Sequence, residues 1–331
     1  MRGGRLSARL AGLALLAGLA VLVSVRVGAV PLSLSEITDA LRGEGDPTAI
    51  AIVRQLRVPR AVVAGLVGAA LAASGATFQA LLRNPLAEPY ILGVSGGAAV
   101  GAVGAIVLGW AAYAGWAVPV AAFVGATVAI LLVLRIAASV GRSLDTRVLL
   151  LAGVVVGSFF NACILLALTL TDAESFRSAI FWMMGSFAGA SWTVAGVLSL
   201  YLLPAILLLI ALARPLNLMA IGEETAGYLG ASVERVKLVA YATASLLTAA
   251  AVAASGVIGF VGLIIPHVIR LLWGGDHRFL IPASALLGAA FLVTADAIAR
   301  TAAAPTELPV GVVTAFVGVP FFVWLLRRRT V

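Results

Sequence analysis

The sequence predicts an all-α, polytopic integral membrane protein that forms a single transmembrane domain over residues 1–331. Hydrophobic residues make up 62% of the 331 residues and charged residues only 11%, whereas a soluble domain carries about 25% charged residues. Apolar stretches of about 18 or more residues recur along most of the chain, and each can cross a hydrocarbon core of about 30 Å. Because these stretches are long and do not alternate with polar residues, they predict helices.

About ten membrane spans are predicted, and prolines that interrupt helices separate most of them. The spans cover residues 10–30, 61–82, 91–110, 116–138, 148–170, 192–213, 236–256, 258–273, 281–299 and 309–326. The segment 172–190, between the fifth and sixth spans, is amphipathic and begins with polar residues. We therefore expect a short helix on the outer surface, with Trp182 as an anchor at the membrane interface.

The distribution of basic residues orients the spans. An even number of spans places both termini on one side, and a cytoplasmic N-terminus leaves 15 of the 22 basic residues on the inner side. This excess agrees with the positive-inside rule, so both termini are predicted to be cytoplasmic. The first apolar stretch has no convincing cleavage site and further spans follow it, so we expect a retained first helix. The outer basic residues are Arg26, Arg42, Arg54, Arg57, Arg60, Arg177 and Arg300.

The order of the spans indicates an inverted repeat. Spans two to five and seven to ten form two groups of four helices, and the odd offset of five between them inverts the second group. Inverted repeats of this kind are typical of membrane transporters. The sequence similarity between the halves is faint, so the repeat is predicted from the order of the spans alone.

Rare residue types exclude several kinds of chemistry. Lys237 is the sole lysine, so the chain lacks the GxxxxGK[ST] loop that binds nucleotide in many ATPases. Cys163 is the sole cysteine, which excludes a disulfide within the chain. His267 and His277 have no cysteine or paired carboxylates nearby, and we expect helix-end histidines rather than a metal site. The net charge of +8 is attributed to orientation in the membrane, not to nucleic-acid binding.

Asp296 and Arg300 are charged residues at the end of the ninth predicted span. They are four residues apart, so on a helix they lie on one face and can pair. A carboxylate near the membrane interior costs about 2.5–3.5 kcal/mol on insertion scales, so a partner is expected. The sequence leaves two interpretations open, a structural ion pair and a proton or ion pathway.

Glycines recur at intervals of four residues in two segments. Gly93, Gly97 and Gly101 predict close packing within the helical bundle, because small residues let helix backbones approach each other. Gly153 and Gly157 have the same spacing in the fifth predicted span. These two glycines are candidates for an interface with another subunit.

The largest predicted inner loop, residues 214–235, reads RPLNLMAIGEETAGYLGASVER. Glu223 and Glu224 begin a predicted short helix directly after Gly222, where acidic residues suit the positive end of the helix dipole. Gly230 would end this helix. Three residues would form its apolar face: Ala226, Tyr228 and Leu229. An amphipathic helix outside the membrane needs a partner, and its acidic residues favour a protein over anionic lipid.

Three segments of the chain carry a specific series of motifs. The first runs from QLRVPR through RNPLAEP to GVSGGA, the second from SGVIGF through GLIIPH to DHR, and the third from ADAIAR through ELPVGVVTA to RRR. Together they resemble the permease subunits of type II ABC importers, which take up iron-siderophores, haem or vitamin B12. The resemblance covers about residue 50 to the C-terminus, whereas residues 1–45 match only as a first span.

The resemblance implies a complex in the bacterial cytoplasmic (inner) membrane. Two permeases of ten helices each, expected to be a homodimer, would sit on a cytoplasmic dimer of ABC ATPases. A periplasmic or lipid-anchored solute-binding protein would deliver the cargo from outside. The chain would then be no enzyme and hold no cofactor, because ATP and Mg bind to the partner ATPase. Besides these proteins it would contact membrane lipid and no nucleic acid.

The resemblance also implies roles for residues on the cytoplasmic side and in the path. Residues 214–235 would couple to the ATPase through a pattern of five residues: Gly222, Glu223, Glu224, Ala226 and Gly230. Asn84 and Leu86 in RNPLAEP would close the cytoplasmic gate. The fifth span, with Gly153 and Gly157, would line the path and face the partner permease.

On the outer side, the resemblance implies that carboxylates of the binding protein dock on Arg57, Arg60 and Arg300. Outward cations in a low-dielectric surround also attract an acidic partner on electrostatic grounds alone. The alternative is that Arg57 and Arg60 only anchor the second span at the lipid headgroups. Asp296 is close enough in sequence to neutralise Arg300.

The sequence therefore predicts the permease subunit of an ATP-driven importer for iron-siderophore complexes. The same architecture carrying haem or vitamin B12 is the alternative, because specificity in this family lies mainly in the binding protein. An ion-coupled secondary transporter is a distant alternative, for which Asp296 is the only clear carboxylate within a span. The gate-like turn and the coupling loop disfavour a membrane scaffold without transport activity.

Overall fold

The structure is a computed structural model and describes residues 2–28, 30–140 and 145–329. All regular elements within these residues are helical, and no strand occurs among them. The helices are α1 (Arg2–Arg26), α2 (Leu34–Arg42), α3 (Pro47–Ala51), α4 (Val58–Leu81), α5 (Val94–Val107), α6 (Trp110–Tyr113), α7 (Ala117–Val140), α8 (Thr146–Thr169), α9 (Ala173–Met183), α10 (Trp192–Ala211), α11 (Ala213–Ile221), α12 (Glu223–Tyr228), α13 (Val233–Ser255), α14 (Val261–Trp273), α15 (His277–Thr301) and α16 (Val310–Arg329). A π-helical segment (Ile52–Arg57) joins α3 to α4, and a 3-10 turn (Pro89–Leu92) precedes α5.

Each of the ten predicted spans coincides with one of these helices. Among the described residues, seven helical stretches are long and apolar enough to cross a membrane, and they correspond to α1, α4, α7, α8, α10, α13 and α15. The other three spans correspond to the shorter apolar helices α5, α14 and α16. The prediction of an all-helical membrane fold is therefore confirmed, while the count of ten crossings stays a prediction.

Helix α4 lies at the centre of the bundle and packs against α10, α13, α14 and α15. Its residues from Ala70 to Gln79 are all buried, so other helices surround it on every side. A Cβ added to Gly75 would lie 1.9 Å from the carbonyl oxygen of Gly262 in α14. One added to Gly68 would lie 2.2 Å from the carbonyl oxygen of Gly288 in α15. Glycine therefore permits direct backbone contact between these helices.

Helices α5 and α7 pack closely by the same means. A Cβ on Gly97 would lie 2.4 Å from the carbonyl oxygen of Gly125, and one on Gly101 would lie 2.0 Å from that of Ala121. Neither position leaves room for a side chain. The predicted packing role of these glycines inside the bundle is confirmed.

The bundle has two ends, which we name after the short helices that lie there. The α2 end carries α2, α3, the start of α9 and the turn 302–309 between α15 and α16. The α12 end carries the turn between α4 and α5, together with α11, α12 and the turn 274–276. Under the predicted topology, the α2 end faces outward and the α12 end faces the cytoplasm.

The short helix predicted within 172–190 is present as α9. Asp172 caps its N-terminus, because Oδ1 accepts hydrogen bonds from the backbone N–H groups of Ser175 and Glu174, each at 2.9 Å. The hydrogen bonds from Ser175 and then Glu174 hold the pKa of Asp172 below its ordinary value. Trp182 is partly buried and packs against a cluster that includes Ala99 and Val103 of α5. It therefore fastens α9 to the bundle.

Large apolar side chains are exposed on several helices of the bundle. Examples from α1, α8, α10 and α16 are Leu22, Leu151, Phe159, Leu200 and Phe316. A soluble monomer rarely exposes contiguous apolar area on this scale. These faces suit contact with lipid chains or with another membrane subunit.

Candidate functional site

The three arginines predicted to dock a partner lie together at the α2 end. With two carboxylates they form the group that we call the arginine cluster (Arg57, Arg60, Asp296, Arg300 and Glu307). The first two arginines flank the start of α4, the next two residues lie near the end of α15, and Glu307 lies in the turn before α16. Folding thus gathers charges that are more than 230 residues apart in sequence, such as Arg60 and Asp296 at a separation of 236.

Arg60 is held between the two carboxylates of the cluster. Its Nε and Nη2 donate to Asp296 Oδ1 at 3.0 and 2.9 Å. Its Nη1 and Nη2 donate to Glu307 Oε1 and Oε2 at 3.1 and 2.9 Å. The Asp296 side chain is 0% exposed and that of Glu307 is 46% exposed. Asp296 is therefore the interior counter-ion, and Glu307 is the rim counter-ion.

Arg300 and Arg57 direct their guanidinium groups into the chain. Arg300 Nε donates to Asp296 Oδ2 at 3.1 Å, which confirms the predicted pair, and Nη2 donates to Ser24 Oγ at 2.8 Å. Arg57 donates to backbone carbonyls at the end of α1 and beyond it: those of Val25, Arg26 and Val30. Only 5% of Arg57 and 8% of Arg300 is exposed. The cluster thus ties the end of α1 to α4 and α15.

Asp296 accepts hydrogen bonds from two arginines, Arg60 and Arg300. A buried carboxylate with two bound guanidinium groups has its charge compensated and most of its oxygen lone pairs occupied. Of the two interpretations that the sequence left open, this arrangement favours a structural ion cluster over a proton or ion pathway.

The RNPLAEP turn (residues 83–89) connects α4 to α5 at the α12 end. Arg83 has φ +46°, a left-handed conformation that reverses the chain after α4. Asn84 Oδ1 accepts a hydrogen bond from the backbone N–H of Leu86 at 3.0 Å, which forms an Asx turn. Asn84 is exposed and Leu86 is half-buried. The two predicted gate residues therefore lie at the tip of the turn, where the Asn84 side chain sets its shape.

After this tip the chain turns back into the bundle and meets the start of α14. Glu88 Oε1 accepts a hydrogen bond from the backbone N–H of Phe260 at 2.7 Å. The Tyr90 hydroxyl accepts from the backbone N–H of Ile258 at 3.1 Å and donates to the carbonyl of Ile258 at 2.6 Å. The irregular segments before the short helices α5 and α14 are thereby joined. Interrupted helices at corresponding positions in two halves are typical of inverted-repeat transporters.

The predicted coupling segment forms α11 and α12. Gly222 has φ +150° and separates the two helices, α12 begins at Glu223 as predicted, and Gly230 follows its end at φ +84°. Ala226 is fully buried, whereas Tyr228 and Leu229 are 91% and 60% exposed. Ala226 therefore anchors α12 to the bundle. The sequence had predicted one apolar face shared by Ala226, Tyr228 and Leu229, and this prediction is wrong because only Ala226 is buried.

Glu223 connects α12 with two other parts of the chain. Its Oε2 accepts a hydrogen bond from Lys237 Nζ in α13, and its Oε1 lies 3.5 Å from Arg83 Nη2 in the RNPLAEP turn. Glu224, the next residue, is exposed. The sequence identified Glu223 by its place at the start of the helix. Its link to Arg83 could not be read from spacing, because the two residues are far apart in the chain.

Gly153 and Gly157 lie on the face of α8 that packs against the start of α5. A Cβ added to Gly93 would lie 3.2 Å from the Gly153 carbonyl oxygen, and one added to Gly157 would lie 3.7 Å from Gly93 Cα. The structure therefore places both glycines in packing within the chain. The exposed face of α8 carries larger side chains: Leu151, Val154, Val155 and Phe159.

An apolar cavity of about 610 Å³ opens between α9, α16 and the segment before α14. Its lining includes Met183, Val257, Phe260, Phe316 and Pro320. Phe260 has φ +69°, and a Cβ on Gly318 of α16 would lie 2.5 Å from its ring. The absence of a side chain at Gly318 therefore makes room for this ring beside the cavity.

The part of the chain that the structure describes contains no group of three or more His, Cys, Asp or Glu residues arranged to hold a metal ion. His277 Nδ1 lies 2.6 Å from Asn217 Oδ1, and the backbone N–H of His277 donates to the same oxygen at 2.9 Å. This histidine joins the start of α15 to α11.

The sequence and fold of the chain match those of known transport permeases. It is 45% identical over 289 residues to the uncharacterized ABC transporter permease protein YvrB of Bacillus subtilis, covering 87% of this chain and 82% of YvrB. It is 48% identical over 285 residues to the cobalamin import permease BtuC of Halobacterium salinarum, covering 86% and 75% of the two chains. The vitamin B12 import permease BtuC of Escherichia coli O139:H28 is 44% identical over 276 residues, with 83% of each chain covered.

Two solved structures share the fold. A metal-chelate type ABC transporter in an inward-facing conformation superposes with a TM-score of 0.87 at 32% identity, covering 96% of this chain and 98% of the other. PsaBC from Streptococcus pneumoniae, in complex with a Fab, superposes with a TM-score of 0.58 at 18% identity, covering 88% and 94%. The second likeness concerns the fold alone.

These findings first define the class, a multi-pass membrane permease of a type II ABC importer. Within that class, the chain belongs to the FecCD transport family, whose model matches residues 15–328. The family resemblance seen in the sequence is therefore confirmed. Its relatives YvrB and BtuC are permease proteins of an ABC transporter and of cobalamin or vitamin B12 import systems.

Proposed function

We propose that this chain is the permease of an ATP-driven importer that moves iron-siderophore complexes across the bacterial cytoplasmic membrane. The match to the FecCD family over residues 15–328 carries the permease part of the proposal, and the cargo is proposed from the resemblance of the sequence motifs to siderophore, haem and vitamin B12 permeases. We further propose ten crossings with cytoplasmic termini, which the seven long and three shorter apolar helices among the described residues and the excess of basic residues on the predicted inner side support. The chain itself would bind no cofactor, and ATP and Mg would bind to the partner ATPase.

The α12 end is proposed to bind the ATPase dimer. Tyr228 and Leu229 project from α12 into solvent, and the buried Ala226 fixes that helix to the bundle. Gly222 and Gly230 set the limits of α12 through their positive φ angles. A short helix with exposed apolar side chains and an anchored base suits a cleft in a protein partner. The acidic pair Glu223 and Glu224 would lie at this contact.

The proposed path for the cargo lies between two copies of this chain. The exposed apolar face of α8 and the cavity beside α16 would form its walls. Gly153 and Gly157 would contribute indirectly, because they seat α8 against α5. Asn84 and Leu86 would close the path at the α12 end. Helix α12 would act on this gate through the contact between Glu223 and Arg83.

The α2 end is proposed to receive the solute-binding protein. Arg60 would make the direct contact, because its side chain is 13% exposed and its rim partner Glu307 is largely open to solvent. Arg57 and Arg300 are nearly buried. We propose that both add positive potential to this end, and that Arg300 also positions Arg60 through their shared partner Asp296.

Cobalamin is the second candidate cargo. Two relatives at 48% and 44% identity are cobalamin or vitamin B12 import permeases. A solved structure that shares the fold at a TM-score of 0.87 is a metal-chelate type ABC transporter, a description that names neither a siderophore nor cobalamin. Both cargoes would use the same proposed path, so a transport measurement distinguishes them.

The test is a reconstitution of the permease with its co-purified ATPase and binding protein in proteoliposomes. We expect ATP-dependent uptake of a labelled ferric siderophore, measured beside labelled cobalamin and haem under the same conditions. An ATPase variant without its P-loop lysine is the control and should abolish uptake. Uptake by the permease alone without ATP would refute the importer and would favour an ion-coupled transporter instead.

A further inference from the structure

We propose that Glu307 is an internal substitute for a carboxylate of the solute-binding protein. It would occupy Arg60 in the undocked permease and be displaced from it when the binding protein arrives. This inference rests on the proposed docking function of the α2 end. It adds a residue, Glu307, whose contact with Arg60 was not apparent from the sequence because 247 residues separate the two.

The geometry of Arg60 is that of an occupied carboxylate site. Asp296 takes Nε and one side of Nη2, and Glu307 takes Nη1 and the other side of Nη2. The contact with Glu307 is a parallel, two-bond arrangement at 3.1 and 2.9 Å, which is the geometry that a guanidinium group offers to one carboxylate. A partner carboxylate can therefore bind Arg60 in this manner only where Glu307 now lies.

The two carboxylates differ in how readily they can be replaced. Asp296 is 0% exposed, belongs to α15 and is shared with Arg300. Glu307 is 46% exposed and lies in the turn 302–309, where residues 302–307 are largely exposed to solvent. An exposed ion pair contributes little because water competes for both groups, whereas loss of a buried counter-ion is costly. Glu307 is therefore the partner of Arg60 that an incoming carboxylate can displace.

The neighbouring arginines cannot serve as alternative primary contacts in this arrangement. Arg57 donates to three backbone carbonyls and is 5% exposed, and Arg300 is bound to Asp296 and Ser24 at 8% exposure. An incoming carboxylate reaches the cluster through the rim that Arg60 and Glu307 form. The partner identified by this chemistry is an acidic side chain on the binding protein.

Displacement of Glu307 would also alter the connection to α16. The turn 302–309 leads directly into that helix, and the first residues of α16, Val310 and Gly311, donate backbone hydrogen bonds to Gly185 and Met184 beside the cavity. In the undocked state the contact between Arg60 and Glu307 ties this turn to α4. Docking would release that tie, which gives the binding protein a physical route to the helix beside the proposed path.

The test measures affinity between the full permease–ATPase complex in nanodiscs and its purified binding protein, obtained by co-purification from the native membrane. Three variants are compared with the wild type: Glu307→Gln, Glu174→Gln and Arg60→Gln. Glu174 is an exposed acidic residue at the same end, so its variant removes an equal charge without touching Arg60. All four are also compared by thermal unfolding to show that they are folded.

We expect Glu307→Gln to tighten binding by about two- to fivefold, the range that corresponds to loss of one competing surface ion pair. Glu174→Gln should change the Kd by less than about half of that effect. Arg60→Gln should weaken binding. The gain from Glu307→Gln should shrink at high salt, where surface charges are screened.

Two outcomes would overturn the inference. Weaker binding by Glu307→Gln would mean that Glu307 itself contacts the partner, and equal effects of Glu307→Gln and Glu174→Gln would mean that only net charge matters. Either result leaves the importer function intact as long as wild-type uptake requires ATP and the binding protein. Failure of the proposed function would show separately, as wild-type uptake that needs neither of them.

Discussion

Replacement of Asp296 by asparagine would leave two guanidinium groups without their shared interior anion. The Asp296 side chain is 0% exposed and accepts from Arg60 at 2.9 Å and from Arg300 at 3.1 Å. Asparagine has nearly the same shape, so the change isolates the charge. We expect the variant to insert into the membrane but to be markedly less stable.

The magnitude follows from the burial of the pair. Removal of one partner of a buried ion pair costs about 3–5 kcal/mol, because the remaining charge is left uncompensated. Each kcal/mol lowers an unfolding midpoint by roughly 2 °C in a larger domain. Asp296→Asn should therefore lower the thermal midpoint of the permease in detergent by about 6–10 °C.

Glu307→Gln is the matched control, since it removes the other carboxylate of Arg60 at a site that is 46% exposed. An exposed pair contributes about 0–1 kcal/mol, so this variant should change the midpoint by no more than about 2 °C. The double variant Asp296→Asn/Arg300→Gln should lose less than the sum of its single variants, because it also removes one uncompensated cation. Equal and small effects of Asp296→Asn and Glu307→Gln would refute the reasoning from burial.

Three further predictions concern other parts of the chain. Gly75→Ala should destabilise the bundle by about 1–3 kcal/mol or prevent folding, because the new Cβ would lie 1.9 Å from the Gly262 carbonyl oxygen. The control in thermal unfolding is Gly104→Ala in α5, whose Cβ would meet nothing within 4 Å. Equal unfolding midpoints of the two variants would contradict the packing. Arg83→Glu should repel Glu223 and lower the uptake per ATP hydrolysed in proteoliposomes. Arg83→Lys keeps the positive charge and should retain most of the uptake per ATP. An unchanged ratio in Arg83→Glu would exclude this contact as a link between α12 and the gate. Hydrogen bonds lower the pKa of Asp172 in the folded state, so its contribution to the stability of α9 is present above the ordinary pKa of the carboxyl and is lost as pH falls through the lowered value. Hydrogen exchange of α9 should therefore differ between wild type and Asp172→Ala at neutral pH and become equal at acid pH. A difference that persists in acid would contradict the cap.

Helix positions could be predicted from the sequence because the signal is local and strong. Long apolar runs predicted ten segments, and all ten coincide with helices. The limits of α12 were also predictable, since Gly222 and Gly230 adopt positive φ angles that other residues rarely accept. The pairing of Asp296 with Arg300 followed from their spacing of four on one helix.

The faces of the helices could not be predicted in the same way. In a soluble helix, polar residues mark the side away from the core, but in a membrane bundle both the packed face and the lipid face are apolar. The spacing of Gly153 and Gly157 was therefore compatible with either side of α8. Only the packing of α8 against α5 shows that Gly153 is buried within the chain and that Gly157 is partly covered there, with Phe159 on the exposed face.

Sequence by itself determined that this protein is a helical membrane permease, roughly where its ten apolar helices lie, and which family it belongs to. The tertiary structure alone decided how its charges are used. Arg57, Arg60 and Arg300 read as outward cations in the sequence, yet folding buries two of them and gives the third two carboxylates from distant segments. The physical reason is that an unpaired charge at a membrane boundary is costly, so the chain satisfies it with whichever groups the packing of α1, α4 and α15 brings near.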